Sequence, residues 1–137
     1  MQVGRLCTTL AVSSLVTAAG LIGNASADSS PESSLSAVVL RVAPSEADLS
    51  LEASTTLLVC EPQVVGTHPA AGAACDELSE VNGVFDDLTG EHHACTLEFR
   101  PVTATAYGVW KGAPVFYSET FANRCSLINE RGTVFDF

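Results

Sequence analysis

Basic residues are scarce in this sequence: six Lys and Arg stand against sixteen Asp and Glu among 137 residues. The resulting formal charge of −10 repels the phosphate backbone of nucleic acids and the headgroups of anionic lipids. The composition therefore argues against nucleic acid and an anionic membrane surface as partners. Solubility outside a cell is the simplest role for such a charge.

The sequence also lacks an uninterrupted apolar run long enough for a typical membrane-spanning helix. Residues 6–22 are apolar or small, but Thr, Ser and Gly interrupt them, so a membrane anchor is the weaker interpretation. Arg5 precedes this run, and Ala-Ser-Ala at 25–27 supplies the small-x-small pattern that signal peptidases cut. We interpret residues 1–27 as a secretory signal peptide and residues 28–137 as the mature domain, which is extracellular and free of the membrane.

The Gly-x-Ser-x-Gly motif of many serine hydrolases is absent. A Ser-His-Asp triad assembled from distant residues stays open, but no motif points to one. A metal site could be drawn from His92, His93, Cys95 and Asp86 or Asp87. It is disfavoured, because a cysteine in an exported chain is oxidised and adjacent histidines point apart in an extended segment. We therefore expect no enzymatic activity, no metal and no cofactor.

Five cysteines are present, and Cys7 leaves with the signal peptide. The remaining four, Cys60, Cys75, Cys95 and Cys125, are an even number in a short exported chain, which predicts two disulfides. Four cysteines allow three pairings, and their spacing alone does not choose among them. In the chain-entropy model each bridge contributes roughly 3–4 kcal/mol, a large part of the stability of a small domain.

Hydrophobic patterning predicts strands before and after one helix. The predicted strands have β-branched or alternating apolar residues and span residues 35–42, 52–60, 99–110 and 115–121. The helix is predicted at 71–81, where an apolar stripe follows Pro69 and Asn82-Gly83 supplies the stop. Lys111-Gly112 predicts a hairpin turn, residues 122–131 a short helical turn, and residues 133–137 a β-like end. This order predicts an α+β fold, with helices packed on one side of an antiparallel sheet.

One stretch, residues 92–101, reads His-His-Ala-Cys-Thr-Leu-Glu-Phe-Arg-Pro. Within it Cys95 and Pro101 enclose a single large aliphatic side chain, Leu97, in a segment that we expect to be exposed. A cross-link on one side and a restricted backbone on the other are typical of a loop that is presented to a protease. We interpret this stretch as a protease-binding loop.

Residues 60–78 read Cys-Glu-Pro-Gln-Val-Val-Gly-Thr-His-Pro-Ala-Ala-Gly-Ala-Ala-Cys-Asp-Glu-Leu. This closely resembles the signature of the subtilisin-inhibitor family of secreted Streptomyces proteins, in which Cys, Pro, Gly-x-His-Pro, Ala-Cys and Leu recur at matching intervals. The likeness continues through Gly-Val-Trp at 108–110, Phe-Ala-Asn-Arg-Cys at 121–125 and Val-Phe-Asp-Phe at 134–137. It covers essentially the whole mature chain.

The resemblance implies a five-stranded antiparallel sheet with two helices. It also implies sequential disulfides, Cys60–Cys75 and Cys95–Cys125, and a homodimer formed through the sheets. The activity it implies is inhibition of subtilisin-like serine proteases.

The family's reactive bond lies two residues after the third mature cysteine, which here is Leu97–Glu98, with Leu97 as the primary specificity residue. The flanking residues that the resemblance places against the protease are Ala94, Cys95, Thr96, Phe99, Arg100 and Pro101. Asn123 is expected to support the loop from below by a hydrogen bond. Thr96 stands where several members have proline, and Glu98 stands where a small or apolar residue is more usual. Both differences bear on affinity.

Two alternatives follow. The chain could keep the inhibitor fold but bind weakly because of Thr96 and Glu98, and so serve as a substrate of a protease or of an extracellular cross-linking enzyme. It could instead be a secreted β-rich module that binds a small ligand or a surface.

Overall fold

The computed structural model describes residues 34–45 and 52–137, which form one sheet with two α-helices and two short 3-10 helices. The proposed signal peptide and residues 28–33 and 46–51 lie outside these residues. In chain order the elements are β1 (Ser36–Pro44), β2 (Ser54–Glu61), β3 (Val65–Gly66), α1 (Ala71–Glu80), a 3-10 helix (Phe85–Asp87), β4 (Val102–Trp110), β5 (Ala113–Phe121), α2 (Arg124–Arg131) and a second 3-10 helix (Gly132–Phe135).

The five strands form an antiparallel sheet in the order β3-β2-β1-β4-β5. The predicted hairpin joins β4 to β5 through Lys111 and Gly112, whose φ angles of 47° and 78° suit a tight turn between twisted strands. In the register, Ala106 lies beside Leu40 of β1 and Tyr117 of β5. The expected α+β class, five-stranded sheet, two helices and two sequential disulfides are thus confirmed.

The hydrophobic core lies on the face of the sheet that the helices cover. Alternate strand residues such as Leu40, Leu58 and Ala106 are fully buried there, as period-two patterning requires. On α1 the predicted stripe buries Leu78, and the helix ends before Asn82 and Gly83, both with positive φ. The opposite face of the sheet exposes large apolar side chains, namely Leu57, Val65, Tyr107 and Phe116.

The end of the chain differs from the prediction. Residues 132–135 form a 3-10 helix rather than a β-like segment. Their backbone groups pair with side chains instead of a strand: Val134 N donates to Glu77 Oε2 (3.2 Å), and buried His68 Nε2 lies 3.1 Å from Val134 O. Phe135 is fully buried in the core. Tertiary contacts therefore override the local β preference of Val and Phe.

Smaller differences concern element bounds. The helical turn predicted within 122–131 is a full helix, α2, over eight residues. The strand predicted from residue 99 begins at Val102, because Pro101 has no N–H to donate to a neighbouring strand. Between β2 and α1 the chain also forms the two-residue strand β3, which the hydrophobic patterning does not predict. None of the helices among the described residues is long and apolar enough to cross a membrane.

Candidate functional site

Residues 88–101 connect the first 3-10 helix to β4 without regular secondary structure, and their tip is apolar and exposed. Leu97 is as accessible as in an extended peptide, at 103%, and Phe99 is 76% exposed. Burial of such a side chain is worth about 1.5–3 kcal/mol, so the fold forgoes a favourable contribution at Leu97. Two apolar side chains this close together on an exposed segment point to a surface that meets a partner.

The upstream side of the tip is fixed covalently. Cys95 is bonded to Cys125 in the first turn of α2, with 5.7 Å between the two Cα atoms. The second disulfide, Cys60–Cys75, joins the end of β2 to α1, where Cys75 is buried. One bridge therefore belongs to the core, and the other holds the exposed segment against a helix.

Asn123 connects the start of α2 to the tip. As the N-cap residue its Oδ1 accepts a hydrogen bond from Ser126 N (2.8 Å), which satisfies one of the free donors at the helix start. The same amide group turns its Nδ2 toward the loop, where it donates to Glu98 O (2.9 Å) and, at longer range, to Thr96 O (3.4 Å). The two acceptors are the carbonyls on either side of that of Leu97.

The downstream side of the tip is held by backbone hydrogen bonds. Arg100 N donates to Ala122 O (2.9 Å), and Ser45 N donates to Pro101 O (2.9 Å). The carboxylate of Glu98 also pairs with Arg100 Nε at 3.0 Å, but both side chains are 60% exposed. Such exposed ion pairs contribute little stability, so the backbone contacts are the stronger restraint.

The far end of α2 is fixed to β5 by a partly buried polar group. Arg131 Nη2 donates to Glu119 Oε2 (2.7 Å) and Arg131 Nε to the Tyr117 hydroxyl (2.9 Å), which itself donates to Glu119 Oε2 (2.6 Å). Arg131 Nη1 also reaches Leu88 O (3.2 Å), where the loop begins. The hydrogen bond from the Tyr117 hydroxyl is the main cause that lowers the pKa of Glu119; the bonds from Arg131 add to it, and burial opposes it. The pKa of Tyr117 is raised, mainly by burial.

The residues considered for a metal site lie in the loop or directly before it. Cys95 is in a disulfide, so it cannot supply a thiolate to a metal site with His92 and His93. Within the described ranges, no group of three or more His, Cys, Asp and Glu side chains is arranged to hold a metal. His68 is buried and serves as a structural hydrogen-bonding group, because its Nδ1 accepts from Ala70 N (3.0 Å).

Sequence reasoning missed two residues that hold this segment, Asn129 and Arg131. Asn129 pairs with the backbone of His93, which is 36 residues away, and Arg131 reaches Leu88 across 43 residues. The only local signal for Asn129 is its place four residues after Cys125, on the same side of a helix.

Fold and loop together define a small disulfide-bonded α+β domain that presents a restrained, exposed segment. Residues 34–123 match the sequence profile of the family described as subtilisin inhibitor-like. The chain belongs to this family, which confirms the resemblance carried by residues 60–78.

Three relatives illustrate the match. A protease inhibitor of Streptomyces netropsis is 46% identical over 106 residues, covering 74% of this chain and 96% of that protein. A subtilisin inhibitor of Streptomyces violaceus is 42% identical over 115 residues, covering 80% of this chain and 79% of that protein. Among solved structures, Streptomyces caespitosus sermetstatin in complex with Bacillus licheniformis subtilisin is similar with a TM-score of 0.61 and 32% identity, covering 75% of this chain and 99% of that chain.

Proposed function

We propose that this protein is a secreted inhibitor of subtilisin-like serine endopeptidases. It binds its target as a substrate would, through residues 94–101, with Leu97–Glu98 as the reactive bond. The observation that carries the proposal is the full exposure of Leu97 on a segment whose backbone is anchored on both sides. The solved relative bound to subtilisin supports the choice of target.

Anchoring matters first for affinity. A serine protease attacks a peptide carbonyl with an activated serine and stabilises the resulting oxyanion with backbone N–H groups. A flexible peptide must lose conformational entropy to adopt the extended form that the cleft accepts. A loop that is held in one conformation before binding avoids most of that cost, so more of the contact energy appears as affinity.

Anchoring matters again after the bond is attacked. Cys95 stays attached to Cys125 on the acyl side, and Glu98 stays attached to Asn123 on the amine side. The new amine therefore remains next to the acyl carbon at a very high effective concentration. Religation competes with hydrolysis, and the protease stays occupied.

The side chain of Leu97 sets the preference among proteases. A leucine suits the broad apolar pockets of subtilisin and of chymotrypsin-like enzymes. It suits a trypsin pocket badly, because the buried aspartate there would have no cationic partner.

The two departures from the family pattern are partly offset by contacts of this chain. Thr96 lacks the stiffness of proline, but its carbonyl lies 3.4 Å from Asn123 Nδ2. Glu98 adds a carboxylate on the leaving-group side, and Arg100 Nε lies 3.0 Å from it and offsets its charge. The contact with the Thr96 carbonyl supports a restrained loop, whereas the exposed ion pair offsets charge and adds little to the restraint.

Secretion and dimerisation are parts of the same proposal. Residues 1–27 direct export and are removed, and the mature domain acts outside the cell without a membrane attachment. Two copies pair through the outer faces of their sheets, where Leu57, Val65, Tyr107 and Phe116 are exposed. Large exposed apolar side chains on one face of a sheet are typical of an interface.

Titration of active subtilisin and trypsin with the oxidised protein tests the inhibition. We expect stoichiometric loss of subtilisin activity and little effect on trypsin. Mass spectrometry after long incubation with catalytic subtilisin should find one slow cut, between Leu97 and Glu98. Rapid digestion without inhibition would favour the substrate alternative, and neither binding nor cleavage would favour the binding-module alternative.

A further inference from the structure

Upstream of the reactive bond, one side-chain amide pairs with both backbone groups of a single loop residue. His93 N donates to Asn129 Oδ1 (3.0 Å), and Asn129 Nδ2 donates to His93 O (2.7 Å). In an antiparallel sheet the N–H and the C=O of one residue are paired in the same way with a residue of the neighbouring strand. Asn129 Nδ2 also lies 3.2 Å from Cys95 Sγ, so the amide contacts the loop at two residues.

The position of Asn129 on α2 explains how it reaches the loop. It follows Cys125 by four residues, so the two side chains lie on the same side of the helix, one turn apart. Its backbone takes part as well, since Gly90 N donates to Asn129 O (3.2 Å). Gly90 lies so close to the helix that a Cβ there would be 2.1 Å from Ile128 O. The segment from residue 90 to residue 95 therefore follows the surface of α2.

We propose that Asn129 is a positioning residue for protease binding, a role that rests on the proposed function. The disulfide restrains the loop at Cys95, whereas the hydrogen bonds of Asn129 restrain the backbone two residues further upstream. The paired hydrogen bonds at His93 fix the direction in which residues 94–97 leave the helix. Proteases bind the residues before the reactive bond as an extended strand, through main-chain hydrogen bonds. A loop already set in that direction loses less entropy on binding.

The test compares three variants of the oxidised protein. Asn129→Ala removes both side-chain hydrogen bonds, and alanine is the best helix former, so folding is expected to be retained. Asn129→Asp keeps an acceptor for His93 N–H but removes the donor to His93 O. Glu130→Ala is the matched control, since this residue is exposed on the same helix. For each variant, thermal unfolding is measured, and the mass of the intact protein shows whether both disulfides are formed.

Amide hydrogen exchange reports the contact without any protease. The His93 N–H should be protected in the unmodified protein, in Glu130→Ala and in Asn129→Asp, and should lose protection in Asn129→Ala. With subtilisin, the inhibition constant of Asn129→Ala should rise about tenfold for the two lost bonds, and cleavage at Leu97–Glu98 should accelerate. Asn129→Asp should weaken inhibition although its melting temperature and its His93 protection are retained.

The outcomes separate this role from the proposed function. If the unmodified protein inhibits subtilisin while Asn129→Ala and Glu130→Ala have the same inhibition constant and cleavage rate, the positioning role is wrong and the proposed function stands. An unprotected His93 N–H in the unmodified protein would likewise overturn it. If the unmodified protein does not inhibit subtilisin at all, the proposed function fails, and the role of Asn129 fails with it.

Discussion

Asn123 donates a 2.9 Å hydrogen bond from Nδ2 to the carbonyl oxygen of Glu98, while its Oδ1 caps α2 at Ser126 N. One side chain therefore stabilises a helix and holds the leaving-group side of the proposed reactive bond. The stability of the domain and the shape of the loop are coupled at this residue. The two ends of the amide differ chemically, so substitutions can separate its two roles.

Asn123→Asp should weaken inhibition without lowering stability. The carboxylate still accepts from Ser126 N, and a negative charge is favourable at a helix N-terminus. It cannot donate to Glu98 O, and it places an anion beside two carbonyl oxygens. We expect the inhibition constant for subtilisin to rise at least about tenfold, because the bond to Glu98 O and the longer one to Thr96 O are lost and repulsion is added.

The control is Asn123→Ala, which removes both roles and should also destabilise the domain by about 1 kcal/mol. Thermal unfolding and subtilisin titration of both variants provide the measurements. Equal inhibition by Asn123→Asp and the unmodified protein would show that the Glu98 contact does not support the loop.

Leu97→Lys should change which protease is inhibited. The side chain is fully exposed, so its replacement leaves the fold unchanged. A lysine supplies the cation that the trypsin pocket requires, and affinity for trypsin should increase at least about 100-fold. Leu97→Met is the control, since it keeps an apolar side chain and should leave selectivity for subtilisin intact. If Leu97→Lys leaves selectivity unaltered, another part of the chain makes the main contact.

Removal of the Cys95–Cys125 bridge should turn the inhibitor into a substrate. The bridge closes a 30-residue interval, and its loss in Cys95→Ala/Cys125→Ala costs roughly 3–4 kcal/mol in the chain-entropy model. More importantly, the acyl side of a cut bond is then free to leave. The rate at which subtilisin cuts Leu97–Glu98, followed by mass spectrometry, should rise at least about tenfold.

The matched control for that experiment removes the other bridge. Cys60→Ala/Cys75→Ala loses the bridge that closes a 15-residue interval, and this loss costs about 3 kcal/mol in the same model. It leaves the loop attached to α2. Provided that it remains folded at the assay temperature, it should still inhibit. Undiminished inhibition by the Cys95→Ala/Cys125→Ala protein would contradict the role given to loop stiffness.

Much of the fold could be predicted because its signals are local. Period-two patterning indicated the strands, and the stripe through Leu78 with the Asn82-Gly83 stop indicated α1. The assignment of Leu97 to the reactive bond rests instead on the family resemblance, which places that bond two residues after the third mature cysteine. The 3-10 helix at Gly132–Phe135 could not be predicted, since Glu77 and His68, distant in sequence, pair with its backbone.

The contacts that hold the loop were harder to predict for the same reason. Asn129 and His93 are 36 residues apart, and neither is unusual in its own segment. Arg131 and Glu119 meet only because α2 packs beside β5. Family resemblance pointed to Asn123, which lies two residues before a motif cysteine, but gave no indication of Asn129. Long-range polar pairs of this kind can be identified only from the folded structure.

Phe116→Glu should dissociate the proposed dimer. Phe116 is 82% exposed on the outer face of the sheet, next to Tyr107 on β4, so its replacement should alter monomer stability little. In a two-fold symmetric interface the new carboxylate occurs twice and would be buried without a partner. Sedimentation at micromolar concentration should then find a monomer where the unmodified protein is a dimer.

The control for dimerisation adds the same charge elsewhere. Thr89→Glu changes an exposed residue on the helix side of the domain, in a surface depression that Ile128 of α2 also lines, and should leave the dimer intact. If the unmodified protein sediments as a monomer, or if Phe116→Glu remains dimeric, the outer face of the sheet is not the interface.

Glu119 should make the stability of the domain depend on pH in the acid range. Its pKa is lowered from an ordinary value of 4.5, first by the hydrogen bond from Tyr117 and then by Arg131. A depressed pKa in the folded state contributes stability that is fully present above the unfolded value of 4.5. That contribution is lost as the pH falls through the folded value, because the unfolded chain takes up its proton first.

Glu119→Gln removes this contribution. Because 38% of the Glu119 side chain is exposed, solvent screening limits the loss at pH 7 to about 1 kcal/mol. Urea unfolding at pH 7, 4 and 3 should give a difference between the two proteins that is constant above pH 4.5 and shrinks below it. Tyr117→Phe removes the hydroxyl that lowers the pKa most, so the carboxyl carbon of Glu119 should titrate nearer to 4.5 in NMR spectra. Parallel pH profiles for Glu119→Gln and the unmodified protein would show that this carboxylate does not link protonation to folding.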